Sequence, residues 1–197
     1  MTHLGMIGIG LMGHGIATNL QKHGHPLTLL EHPGNQPLES LTTGGATTVT
    51  TPRAVAESSE IIILCVTGSP QVEAVLTGED GVLKGLKPGS IVIDCSTAVP
   101  TSTVKLAQHV AAAGGRFLDA AMTRTPKEAA EGRLNLLVGG DPALLEQARP
   151  LLQCFAENIT HVGPVGAGHS MKLLHNFVSL GAVTLIAEAA ACAETYG

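Results

Sequence analysis

Gly8-Ile-Gly-Leu-Met-Gly-His-Gly-Ile-Ala-Thr-Asn-Leu20 decides how this chain is read. Glycines at 8, 10, 13 and 15 are costly in backbone entropy, so such density serves a turn or a close backbone approach. The apolar run Leu4–Ile9 reads as a buried strand, and a helical pattern follows from about 13 to 23. Strand, then Gly8-x-Gly10-x-x-Gly13, then helix is the context of a dinucleotide-binding turn. One glycine makes the turn, one admits a pyrophosphate, and one lets helix and strand pack closely. The helix N-terminus then offers unpaired N–H groups and a positive dipole end to phosphate. On this reading Gly8, Gly10, Leu11, Met12 and Gly13 hold the adenosine and pyrophosphate half of the ligand.

An acidic residue closes the next apolar run: Glu31 follows Leu27–Leu30. A carboxylate there accepts hydrogen bonds from the ribose hydroxyls of NAD and repels the 2′-phosphate of NADP. No arginine follows it until Arg53, so the pattern points to NAD over NADP. The plain alternative is a surface glutamate in the turn Glu31-His32-Pro33-Gly34.

Composition narrows the rest. With 44% hydrophobic residues, no tryptophan and few other aromatics, the core must be aliphatic, which suits helices packed on a parallel sheet. A net charge of −5 argues against nucleic-acid binding, which needs a basic face. Cys65, Cys95, Cys154 and Cys192 form no C-x-x-C pair and read as free thiols in a reducing cytoplasm; no metal site is expected. The histidines read as surface or structural. The N-terminus lacks the marks of a signal peptide, and Phe177–Ala187 is too short to span a bilayer, so the chain reads as soluble and cytoplasmic, with no membrane partner.

Further strands are expected at Ile61–Val66, Ser90–Asp94 and Phe117–Ala120, with weaker ones at Leu134–Val138 and Asn158–His161. Helices are expected at about 52–58, 70–76, 101–113 and 142–155. Thr51 and Asp141 stand as N-caps before proline, and Gly24 and Gly114 stand at C-terminal caps. The alternation implies a Rossmann-type, doubly wound, mainly parallel sheet. From about Gly168 to Glu194 the helical pattern is unbroken. The expected division is a dinucleotide-binding domain over 1–163 and a long interdomain helix over 164–197.

These segments together resemble the β-hydroxyacid dehydrogenase family, which includes 3-hydroxyisobutyrate dehydrogenase. Beyond GIGLMGHGIATNL, Asp94-Cys95-Ser96-Thr97 with Pro100 is similar to the family's D-x-S-T loop. Asp119-Ala120-Ala121-Met122-Thr123, with Ala130, Gly132 and Leu134, is similar to its substrate loop. Gly163-Pro164-Val165-Gly166-Ala167-Gly168, then Lys172 and Asn176, is similar to its catalytic segment. The resemblance implies that Val66, Thr67 and Thr97 line the nicotinamide side. It implies that Ser96, Thr123 and Arg124 meet the substrate, and that Lys172 is the general acid/base with Asn176 beside it. The implied reaction is NAD-linked hydride transfer to or from a small anionic 3-hydroxy acid or the matching semialdehyde.

Two departures stand out. Where relatives commonly read S-G-G, this chain has Thr123-Arg124-Thr125, closer to the sulfolactaldehyde reductase branch. Arg124 either binds a substrate anion or pairs outward with Glu128. The family's all-helical C-terminal domain is also absent from these residues. The apolar positions from Leu173 to Ile186 are then expected to drive homo-oligomerisation through the C-terminal helix. A rival expectation is a self-associating NAD-binding module without turnover.

Overall fold

The computed structural model describes residues 2–197. Apolar runs of strand length alternate with helices, in the order β1 (Leu4–Ile7), α1 (Leu11–Lys22), β2 (Leu27–Leu30), α2 (Glu39–Thr43), β3 (Thr47–Val49), α3 (Pro52–Ser58), β4 (Ile61–Leu64), α4 (Ser69–Thr77), α5 (Val82–Gly85), β5 (Ile91–Asp94), α6 (Pro100–Ala112), β6 (Arg116–Thr123), α7 (Pro126–Ala130), β7 (Leu134–Gly139), α8 (Pro142–Leu152), β8 (Ala156–Gly163) and α9 (Ala167–Tyr196). The strands form one sheet in the order β3-β2-β1-β4-β5-β6-β7-β8. Every pairing is parallel except β6 with β7. The strand order reverses between β1 and β4, the switch point outside which such sheets bind ligands.

Period-two alternation sends each strand's side chains to both faces. Leu4, Met6 and Ile63 join one apolar layer with Ile16, Leu20 and Leu145, while Ile7, Ile62, Leu64 and Val92 join the opposite layer with Val55, Val72 and Val110. Two of the proposed N-caps form as read. Thr51 Oγ1 accepts from the Ala54 N–H at 3.2 Å and Asp141 Oδ1 from the Leu144 N–H at 2.8 Å. Gly24 and Gly114 both take the left-handed conformation just past α1 and α6.

The body and α9 differ sharply. Of α9's 30 residues only Gly168 and His169 are buried. Phe177 is 77% exposed, and Leu174, Val178, Leu185 and Ile186 are all at least 60% exposed. The first turns rest on β6, β7, β8 and α6, and the rest projects away. By length and composition alone α9 could cross a membrane, whereas the sequence reading took only its apolar centre as too short.

Candidate active site

Three glycines at the sheet's switch point meet three separate demands. Gly8 has φ +94°, and a Cβ there would strike the Cys65 carbonyl. A Cβ on Gly13 would strike the Gly8 carbonyl, so α1 rests directly on the turn below it. Gly10 differs: no atom lies within 4 Å of its Cβ position, so its backbone faces open space at the N-cap of α1. That open cradle at a helix N-terminus fits a pyrophosphate. Leu11 is exposed and Met12 half-buried beside it.

The cradle opens on a cleft of about 400 Å³ lined by residues including Gly8, Gly10, Asn35, Val66 and Thr67. At His32 and Asn35 it adjoins a shallower recess of about 560 Å³ that contains Glu31. The Thr48 hydroxyl donates to the Glu31 carboxylate at 2.6 Å, orienting it at the rim. Asn35 braces the turn: its side-chain oxygen accepts from the Ile9 N–H and its amide donates to the Leu30 carbonyl. Sequence reasoning missed Asn35, because its role depends on contacts five and 26 residues away.

Thr97 is exposed just beyond β5, as is Thr67 just beyond β4, while Val66 beside it is half-buried. Ser96, read as a substrate contact, is buried, and its hydroxyl oxygen accepts from the Val66 N–H at 3.0 Å. It therefore ties the β4 and β5 loops together.

Thr123 ends β6 and is also buried. Its hydroxyl accepts from Asn135, whose side-chain oxygen accepts in turn from Asn158. This amide ladder across β6, β7 and β8 had no signature in the sequence. Arg124 follows with φ +78°, the one non-glycine residue in the left-handed region among those described. Its guanidinium pairs with Glu157 and donates to the Arg133 carbonyl. Of the two alternatives for Arg124, the outward pairing with Glu128 does not form: Glu128 closes a capping box on Thr125, accepting from its N–H and its hydroxyl. Glu157 lies too far along the chain for a spacing argument to find.

Lys172 and Asn176 occupy one stripe of α9. Beyond Ser170 they are the only residues of the helix with partial cover. Burial pushes the Lys172 amine below the ordinary lysine value, the direction a general base near neutral pH requires. No carboxylate pairs with it among the described ion pairs.

A buried polar cluster anchors the start of α9. Asp119 Oδ1 accepts from the Gly166 N–H at 2.8 Å and Oδ2 from the His169 N–H at 2.9 Å, so one carboxylate caps the helix. His169, read from sequence as surface or structural, is fully buried. Nearby, burial pushes the Cys65 thiol up to about 12 and holds Cys95 well above the usual thiol range. These thiols are poor nucleophiles.

Residues 3–163 match the family described as the NAD binding domain of 6-phosphogluconate dehydrogenase. The chain belongs to this family. Within the wider group, it is 38% identical over 195 residues to 2-hydroxy-3-oxopropionate reductase of Escherichia coli K12, covering 98% of this chain and 66% of that protein. It is 35% identical over 194 residues to 3-sulfolactaldehyde reductase of the same organism, covering 98% and 65%. A solved structure of 3-hydroxyisobutyrate dehydrogenase from Mycobacterium tuberculosis with L-serine superposes with a TM-score of 0.90 at 29% identity, covering all of this chain and 66% of the other. The chain thus spans about two thirds of the length of these relatives. The Gly8–Gly13 cradle lies within the matched residues.

Proposed function

We propose that this chain is the cofactor and catalytic portion of an NAD-linked β-hydroxyacid dehydrogenase, acting in either direction between a small 3-hydroxy acid and its semialdehyde. One observation carries the reading: a lysine and an asparagine take the covered stripe of α9 while leucine, valine and phenylalanine face solvent. Hydrophobic packing alone would give the reverse arrangement. A helix that shelters a cation and an amide is shaped by chemistry at that face.

Bound NAD would supply the hydride acceptor, held through Gly8, Gly10, Leu11, Met12, Gly13 and Glu31, with Val66, Thr67 and Thr97 on the nicotinamide side. Lys172, as the free amine, takes the proton from the substrate hydroxyl; in the reductive direction its ammonium returns it and stabilises the developing alkoxide. Asn176, one turn on, fixes the amine or a substrate oxygen. Thr123 orients the substrate, and Ser96 acts by fixing the Val66 and Thr97 loops. Arg124 leaves Glu157 to bind a carboxylate or sulfonate by charge-assisted hydrogen bonds; its exposed pairing is weak enough to exchange.

In this proposal residues 1–163 bind the cofactor and 164–197 carry the lysine. The protein works in the cytoplasm, where its thiols stay reduced, and α9 joins protomers through its apolar surface. The exposed length of α9 supports a second reading, an NAD-binding, self-associating module without turnover.

The test is NADH formation by the 197-residue chain with a panel of 3-hydroxy carboxylates and sulfonates, beside Lys172→Ala. Turnover abolished by the substitution supports the enzyme. Tight NAD binding with no turnover supports the module. Turnover that survives Lys172→Ala removes the proposed role of the lysine.

A further inference from the structure

The opening glycine run has a fourth member that the dinucleotide turn does not use. Gly15 is buried in α1, one turn before the buried Asn19 and on the same helical face. A Cβ on Gly15 would stand 2.6 Å from the Ala129 carbonyl carbon and 2.7 Å from the Ala130 nitrogen. The last turn of α7 therefore lies directly on α1, at a separation that only glycine allows.

Asn19 closes this contact. It is 6% exposed, and its amide nitrogen donates to the carbonyls of Gly15 at 2.9 Å, Ala129 at 2.9 Å and Ala130 at 3.2 Å. Carbonyl oxygens only accept, so that end of the amide must carry the N–H groups. Ala129 and Ala130 end α7, where carbonyls lie beyond the reach of the helix's own ladder. Asn19 thus caps a helix that lies 110 residues further along the chain. Gly132 follows with φ +72°, and a Cβ there would stand 3.2 Å from the Asn19 side-chain oxygen. Gly15, Asn19 and Gly132 together make one joint between α1 and the segment after β6.

The joint connects two halves of the site. α1 carries the open cradle at its N-terminus. α7 lies within an arch, 124–133, that leaves β6 at Thr123. Arg124 closes the arch by donating to the Arg133 carbonyl, and the Thr125–Glu128 capping box starts its helix. Among the described hydrogen bonds, Asn19 is the one side chain of α1 that reaches the arch. It does not line the cofactor cleft.

We propose that Asn19 is a positioning residue: by capping α7 from α1 it sets the loop of Thr123 and Arg124 in register with the cofactor cradle. Cofactor bound at the start of α1 then steadies the arch through this joint. Asn19 touches neither substrate nor cofactor. The inference rests on the reading of Thr123 and Arg124 as substrate contacts.

The test is hydrogen exchange of the full 197-residue chain, read by mass spectrometry with and without saturating NAD, and it needs no turnover. In the wild type, NAD should slow exchange over 11–22 and also over 124–133. Asn19→Leu keeps the shape and removes the donor. It should bind NAD as the wild type does, speed exchange over 124–133 about 10-fold without ligand, and lose the arch's response to NAD. Gly15→Ala pushes on the same joint from α1 and should lose that response too. Val110→Ala, buried in the opposite layer, should destabilise the fold and keep the response. NAD protection confined to 11–22 in the wild type would overturn the inference, as would a response retained in Asn19→Leu or lost equally in Val110→Ala. If Asn19→Leu does not fold, the wild-type response and Gly15→Ala still decide. Where a 3-hydroxy acid is turned over, Asn19→Leu should raise its KM more than it lowers kcat, and a loss confined to kcat would overturn the positioning role. An inactive chain with the coupling intact would contradict the proposed reaction and leave the joint standing.

Discussion

The sheet body and helix α9 are built from similar aliphatic residues and end in opposite states. In the body, Leu4, Met6, Ile16 and Ile63 are completely buried, each contributing about 1.5–3 kcal/mol relative to exposure. In α9, Phe177, Leu180 and Val183 contribute nothing of the kind, because nothing among the described residues covers them. Composition therefore specifies what must be buried, while topology specifies whether this chain can do it alone. The body completes its own core. The helix carries a surface that calls for further protein.

The largest effect should come from putting charge on that surface. Phe177→Glu with Leu185→Glu should convert an associated chain into a monomer while leaving NAD affinity unchanged. Light scattering with size-exclusion chromatography reads both species, and an already monomeric wild-type chain would break the contrast.

Within the body, two glycines a few residues apart should fail in different ways. Gly13→Val overpacks α1 against the Gly8 carbonyl and should cost about 3 kcal/mol or more in denaturant unfolding. Gly10→Val meets no protein atom and should unfold like wild type, yet lose cofactor binding. At the rim, Glu31→Gln should lower NAD affinity about 10-fold, consistent with the loss of a charged hydrogen bond, and raise NADP affinity by removing the repulsion of its 2′-phosphate. Parallel fluorescence titrations would measure the ratio.

Smaller effects test the covered stripe of α9 and the Arg124 turn. Because burial lowers the Lys172 pKa, folding disfavours its charged form. That penalty is complete below the folded pKa and disappears as pH rises past the unfolded lysine value of about 10.4. Lys172→Met should therefore raise the melting temperature slightly at pH 7 and leave it unchanged at pH 11. Arg124→Gly relieves a left-handed backbone at a cost of about 1–2 kcal/mol in strain, against an exposed ion pair worth about 0–1 kcal/mol. Net stabilisation of about 1 kcal/mol is expected by chemical denaturation.

The same division governs what the sequence made legible. Buried strands such as Leu27–Leu30 and the switch-point turn were readable because they are local: a short apolar run, a glycine spacing, an acid at a strand end. β3 was not, because Thr47-Thr48-Val49 is a polar, partly exposed edge with no apolar run. The short helices α2, α5 and α7 are too brief to show a period. At the site, Gly8, Gly10, Gly13 and Glu31 could be placed from pattern. The partners of Arg124, Ser96 and His169 could not, since Glu157, Val66 and Asp119 lie 30 or more residues away along the chain. His169 was hidden among nine scattered histidines. Its one local signal was its place one turn before Lys172 on the same face.

Calorimetric titration of NAD into the wild-type chain and into Gly10→Val, with thermal unfolding of both, tests the central claim most directly. The account predicts that wild type binds NAD more tightly than NADP, and that the variant folds equally well but binds at least 10-fold more weakly. A wild-type chain that binds neither nucleotide, or a folded Gly10→Val chain that binds NAD as well as wild type, would contradict it.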